Sequence, residues 1–192
     1  MRIQSVALAA LLALPVSAFA DWQLLGDDSS VNFVSVKKST IAETHHFKSL
    51  TGSISDAGQA KLTIDLASVE TSIPIRNERM QKMLFETAKF AKATISTNVD
   101  AARLKALKPG ETMTVAADVT VEVHGQQRTE KADLQVTGLA GNQVQVTTNA
   151  PIIVNAGNYK LLEGIEKLRE VAGLDSISPI VPVTATLVFK QN

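Results

Sequence analysis

Between residues 62 and 97 the period of the apolar pattern changes twice, and few folds accommodate that. Leu62, Ile64 and Leu66 alternate with Lys61, Thr63 and Asp65, the two-residue period of a strand with one buried face. The alternation stops at Ser68-Val69-Glu70-Thr71-Ser72. From Pro74 onward Ile75, Met80, Met83 and Leu84 recur at helix spacing, while Arg76, Glu78, Arg79, Gln81 and Lys82 lie mostly off that face. Residues 93–99 then alternate again. A strand is interrupted by a short amphipathic helix and resumes, so helices decorate a sheet here instead of following every strand. A parallel doubly wound sheet is therefore a poor fit.

The rest of the chain reads as short strands and turns. Residues 22–25 and 31–36 read as the two strands of an opening hairpin, with Gly26-Asp27-Asp28-Ser29 as its turn. Residues 41–54 carry Glu43, His45, His46 and Phe47, with Gly52 marking a bulge or bend before the Asp56-Ala57-Gly58 turn. Residues 100–107 suit a brief helix ended by Pro109-Gly110. Val115, Val119, Val121 and Val123 among Thr and Asp favour a strand over 112–123, because β-branched side chains pack well on a pleated surface. It pairs with 129–136 across His124-Gly125-Gln126-Gln127, and 143–148 follows the Gly141-Asn142 turn as a third antiparallel neighbour. After a short apolar run at 151–154, Leu161, Leu162, Ile165, Leu168, Val171 and Ala172 line one broad face of a second sizeable helix. Glu163 and Lys167 are spaced to pair on it, and Gly173 is its stop. A last strand, 181–189, has Pro179 and Pro182 at its entrance, where proline is tolerated.

Several strands joined by hairpin turns, with only two sizeable helices, imply an antiparallel sheet that curls on itself. Closure would also remove exposed strand edges. A β-sandwich is the alternative arrangement.

Residues 1–20 read as a secretory leader: Arg2, an apolar run from Val6 to Leu14, and the A-x-A signature Ala18-Phe19-Ala20. The run is interrupted by Pro15 and is shorter than the about 20 apolar residues a spanning helix needs. Export to the periplasm, with a mature chain of one domain beginning at Asp21, is the expectation. Removing Arg2 leaves 18 basic against 19 acidic residues, a net charge of −1. Nucleic-acid binding needs a clustered positive field, which such a balance does not provide, and nothing points to stable membrane insertion. The absence of cysteine excludes thiol catalysis and thiolate metal sites.

Val69-Glu70-Thr71-Ser72, then Arg76-Asn77-Glu78-Arg79-Met80 and Leu84-Phe85-Glu86, resemble the YceI family of exported lipocalin-like proteins. The resemblance extends to His46-Phe47 before Thr51-Gly52, to the strand from Phe90 to Thr97 and to the hairpin from Thr120 to Gly125. It departs at Asn77, where Asp is common after the arginine, and at Phe90-Ala91, where Tyr-Pro is frequent. It implies a mainly β fold, an antiparallel eight-stranded lipocalin-like barrel with two helical insertions. It also implies a non-catalytic role: binding, transport or storage of a long apolar lipid, such as a polyisoprenoid, an isoprenoid quinone or a fatty-acid-like amphiphile. No cofactor is expected, and homodimerisation is left open.

From residue types alone, such a barrel is near the size at which side chains either fill the interior or leave room for one ligand. Long tails are favoured because each buried methylene contributes about 0.8 kcal/mol against an association cost of roughly 4–15 kcal/mol. The candidate tail-binding residues are Phe33, Phe47, Val69, Met80, Met83, Leu84, Phe85 and Phe90. Met80 and Met83 suit an irregular ligand through their flexible thioethers, or serve as ordinary helix packing. Candidates for a polar head group are Arg76 and Arg79, which offer guanidinium donors, and one of His45 and His46. Neighbouring strand residues point to opposite faces, so at most one of these histidines faces the lumen. A metal site from Glu43, His45 and His124, or a fully packed interaction protein of stress response, are the alternatives.

Overall fold

The computed structural model describes residues 22–192, and the expected leader lies outside them. Twelve antiparallel strands form one sheet, but they make only eight passes, because four passes are broken into successive pieces. The first is β1 (Trp22–Leu24) followed by β2 (Ser30–Lys37), both lying along β12 (Ile180–Gln191). The second is β3 (Ile41–Phe47) and β4 (Leu50–Ile54); the third is β5 (Gln59–Asp65) and β6 (Val69–Glu70), which pair with β4 and β3 in turn. Then come β7 (Lys92–Asn98), β8 (Thr112–Val123) and β9 (Gln126–Leu139). A broken seventh pass, β10 (Gln143–Thr148) with β11 (Ile152–Asn155), leads to β12. Since β12 pairs with the first pass, the sheet closes into an eight-stranded antiparallel barrel and the sandwich is excluded.

The opening hairpin is corrected by this topology. Residues 26–28 form a single 3-10 turn that carries the chain onward along β12 instead of reversing it. Ser29 fills the gap: its hydroxyl donates to Leu25 O at 2.7 Å and accepts from Val188 N at 3.0 Å. The segment 41–54 is likewise two strands, interrupted at Lys48-Ser49. Gly52 is no bulge; it sits within β4, where a Cβ would lie 2.8 Å from Lys61 O. The hairpin between β8 and β9 turns on two residues only, because His124 (φ 52°) and Gly125 (φ 68°) both take the left-handed conformation that matches strand twist.

Three helices decorate the barrel: α1 (Pro74–Arg79), the brief α2 (Ala101–Ala106) and α3 (Leu162–Val171). Pro74 opens α1, where its missing N–H is no loss, and Asp100 caps α2 by accepting from Arg103 N at 3.0 Å. On α3 the apolar face is narrower than its sequence suggests: Leu161 and Ile165 are buried, whereas Leu162 and Val171 are exposed. The Glu163–Lys167 pair forms at 2.6 Å. Among the described residues no helix is long and apolar enough to cross a membrane.

Burial divides the interior. Around α1 and α3 the core contains Val31, Phe33, Leu66, Met80, Phe85, Tyr159 and Ile165; around α2 it contains Trp22, Ile54, Leu104, Val144 and Phe189. These two clusters mark the two ends of the barrel.

Candidate functional site

Between the two clusters the lumen holds a cavity of about 390 Å³, within the roughly 300–1,000 Å³ of small-molecule sites. Strand alternation builds its wall. Val115, Ala117, Val119, Val121 and Val123 of β8 line it beside Ala132, Leu134 and Val136 of the neighbouring strand β9, while Thr112, Thr114, Ala116 and Asp118 point outward and are exposed. All of these lining positions but Leu134 are β-branched or small, so inward side chains stop short of the barrel axis. Sequence reasoning identified the β8 alternation as a strand signal but did not place these residues at a site.

The end near α3 is aromatic. Phe33 and Phe47 lie 5.4 Å apart by ring centroids and Phe47 and Phe85 lie 6.0 Å apart, both tilted. Phe85 reaches the wall because α1 runs into a π turn over Met80–Leu84, where Phe85 N donates to Met80 O at 2.9 Å. One extra residue in that turn rotates Leu84 and Phe85 onto the lumen and leaves Met80 in the packed core. Helix α3 closes on the same turn through Gly164, where a Cβ would stand 2.6 Å from Met83 O. Leu161 and Ile165 thereby border the cavity.

Of the expected tail-binding residues, Phe33, Phe47, Leu84 and Phe85 border the cavity and the other four do not. Val69 and Met80 are buried in the surrounding core. Met83 is half-buried against α3, and Phe90 packs outside on His124, with ring centroids 4.4 Å apart. The helical spacing that groups Met80 and Met83 with Leu84 assumes 3.6 residues per turn, which the π turn breaks.

Beyond Phe33 the inner face of β2 and β3 turns polar. His45 stands opposite Phe33 in the strand register, 3% exposed, with Nε2 at 2.9 Å from Ser35 Oγ and Nδ1 without a hydrogen-bond partner. Burial, helped by the nearby Arg76 charge, pushes its pKa down, so the imidazole is neutral. His46, the next residue, is exposed on the outer face. Arg76 donates from Nη1 to Glu43 Oε2 at 2.8 Å and from Nη2 to Thr71 O at 2.6 Å, leaving Nε buried and unpartnered. Lys37 completes this cluster at 2.7 Å from Glu43, whose carboxyl the Lys37 bond holds below the ordinary range despite partial burial. Arg79 points to Val171 O at 3.5 Å. The metal alternative is corrected: Glu43 is taken by two cations, and His124 hydrogen-bonds Glu86 at 3.0 Å on the other side of the barrel. No metal-capable cluster of three or more His, Cys, Asp or Glu occurs among the described residues.

Asn77 holds the connection to α1 in place. Its Oδ1 accepts from Thr71 N at 2.9 Å and Thr71 Oγ1 at 2.6 Å, while its Nδ2 donates to Glu70 Oε1 at 3.1 Å. An aspartate could not make the last bond, since it would set a carboxylate against Glu70.

The YceI-like domain matches this chain over residues 22–189. The chain belongs to the YceI-like family. A polyisoprenoid binding domain from Saccharophagus degradans, implicated in plant cell wall breakdown, is 40% identical, with a TM-score of 0.89 over 91% of this chain and 100% of that one. BcnA of Burkholderia cenocepacia shares the fold at 18% identity, with a TM-score of 0.62 over 86% and 98% of the two chains. Comparison with curated protein sequences finds no significant match. In this YceI-like barrel, then, the segment from Val69 to Glu86, with its π turn, shapes the aromatic end of the lumen.

Proposed function

We propose that this YceI-like protein binds one long apolar molecule, an isoprenoid or acyl lipid, in its lumen, and carries or stores it in the periplasm without converting it. The observation that carries the proposal is the cavity of about 390 Å³ lined mainly by valine, alanine, leucine, isoleucine and phenylalanine. Such a space offers a chain burial and almost no polar contact, so affinity grows with tail length. Ten buried methylenes would contribute roughly 8 kcal/mol, enough to offset much of the association cost. The described activity of the 40% identical Saccharophagus degradans domain supports the same ligand class. A binding role without catalysis accords with the titratable residues of the wall, Lys61, Asp100 and Arg103, which lie on β5 and around α2 and not at the centre of the lumen. The leader signature supports the location.

Native mass spectrometry of protein purified without detergent, followed by organic extraction, tests the ligand. A reproducible mass increment that extracts as a lipid is expected; repeated recovery of lipid-free protein that also refuses an added C16 chain would reject the reading. N-terminal sequencing of protein from a periplasmic extract should begin at Asp21, and retention of Met1 in the cytoplasmic fraction would reject the location.

A further inference from the structure

The lumen does not end at the barrel wall. On β5 and β7 the cavity is bordered by inward residues, among them Leu62 and Ile95, but also by Lys61 and Ser96, which pair with each other on the outward face. The border of the cavity runs on past the end of β7, through Thr97, Asn98 and Asp100 to Arg103 of α2. The strand pairing supplies the gap: β7 and β8 are joined over three positions, Thr94 with Glu122, Ile95 with Val121 and Ser96 with Thr120. Below Thr120, β8 continues to Thr112 with its β7 side unpaired. Thr97 Oγ1, donating to Asp118 O at 3.0 Å, is the last tie across the split.

The chemistry at the opening differs from that of the lumen. Lys61 from β5 and Arg103 from α2 are exposed cations that border the cavity, and neither side chain is held in an ion pair among the described residues. Two acids stand nearby. Asp118 is paired with Lys131 at 3.0 Å, and Asp100 caps α2 through its bond from Arg103 N. At the opposite end the guanidiniums are engaged, Arg76 by Glu43 and Arg79 by Val171 O.

We infer that the opening between β7 and β8 holds the polar end of the ligand, with Lys61 and Arg103 selecting an anionic oxygen head group, a carboxylate or a phosphate. The tail then runs along the lumen toward Phe33, Phe47 and Phe85. This assignment rests on the lumen being the chain-binding site proposed above.

Displacement of the neutral fluorophore N-phenyl-1-naphthylamine by hexadecanoate, hexadecyl phosphate and hexadecanol separates the two ideas, because the tails match and only the heads differ. One or both anions should bind about fivefold to tenfold more tightly than the alcohol at low salt, a margin that shrinks at 500 mM salt. The better anion of the two identifies the head group. In the full chain carrying Lys61→Gln and Arg103→Gln, a pair of exposed substitutions, the margin between anion and alcohol should fall to about twofold or less because the anions lose affinity. Equal binding of all three probes by the wild type, or an undiminished margin in the double variant, would overturn the assignment and leave the lumen reading intact. Failure of every probe to bind would overturn both.

Discussion

Ala117→Phe is the substitution that most directly interrogates the lumen. Ala117 faces inward on β8, opposite the buried Ala132 of β9, and both border the cavity. The inward side chains around Ala117 stop short of a cavity of about 390 Å³ and so forgo dispersion contacts that a larger side chain would make. A phenyl ring placed there recovers part of this, so the ligand-free variant should be as stable as the wild type or more stable, by up to about 2–3 kcal/mol. The same ring takes the space of about four ligand methylenes, which removes about 3 kcal/mol of contact, or about two orders of magnitude in Kd. Thermal melts of ligand-free protein and fluorescence titration with an apolar probe measure the two effects together. Higher or equal Tm with much weaker binding is the expected pair of results. Unchanged affinity in a folded variant would show that the chain lies elsewhere and that the reasoning fails. Met80→Trp is a poorer choice, because Met80 is 6% exposed in core that the cavity does not reach, so the larger ring would overpack it.

Gly164→Ala should lower stability by about 1–3 kcal/mol in urea unfolding, since its Cβ would meet Met83 O at 2.6 Å and Leu84 Cα at 2.7 Å, both unable to yield without moving the π turn. Tyr159→Phe should lose about 1–2 kcal/mol in the same assay, because the fully buried Tyr159 donates to Glu130 Oε1 at 2.8 Å and its removal strips that carboxylate of a donor. Acid titration should reveal Glu70, whose pKa is pulled down to about 2 by Lys48 first, then by Asn77 and the Ser72 N–H. A depressed carboxyl pKa means that its contribution is complete above about 4.5 and is lost as pH falls through about 2. Glu70→Gln should therefore flatten the stability profile over that window, and an unaltered profile would remove Glu70 from the account.

How much of this was legible in the chain depends on the range of the interactions concerned. Alternation at Leu62, Ile64 and Leu66, and at Val115 through Val123, is written into local sequence, because a strand with one buried face needs apolar side chains at every second position. The α3 ion pair and the His124-Gly125 turn are equally local. Misreadings arose where partners are distant. Gly26-Asp27-Asp28 has the composition of a reversing turn, yet β12, some 160 residues later in the chain, holds β1 and β2 in line. Val171 and Leu162 satisfy helix periodicity, but whether an apolar stripe is covered depends on how much neighbouring surface meets it.

Sequence by itself left closure open against a sandwich, but it determined the antiparallel character of the sheet, the family and a set of candidate tail-binding residues, since these follow from short-range periodicity and motif order. Only the tertiary structure decided which of them reach the cavity. That outcome turns on a single extra residue in the π turn at Met80–Leu84, and on three β7–β8 pairs that leave the wall split beside Lys61 and Arg103. Both are set by long-range packing and strand register, which no local spacing encodes.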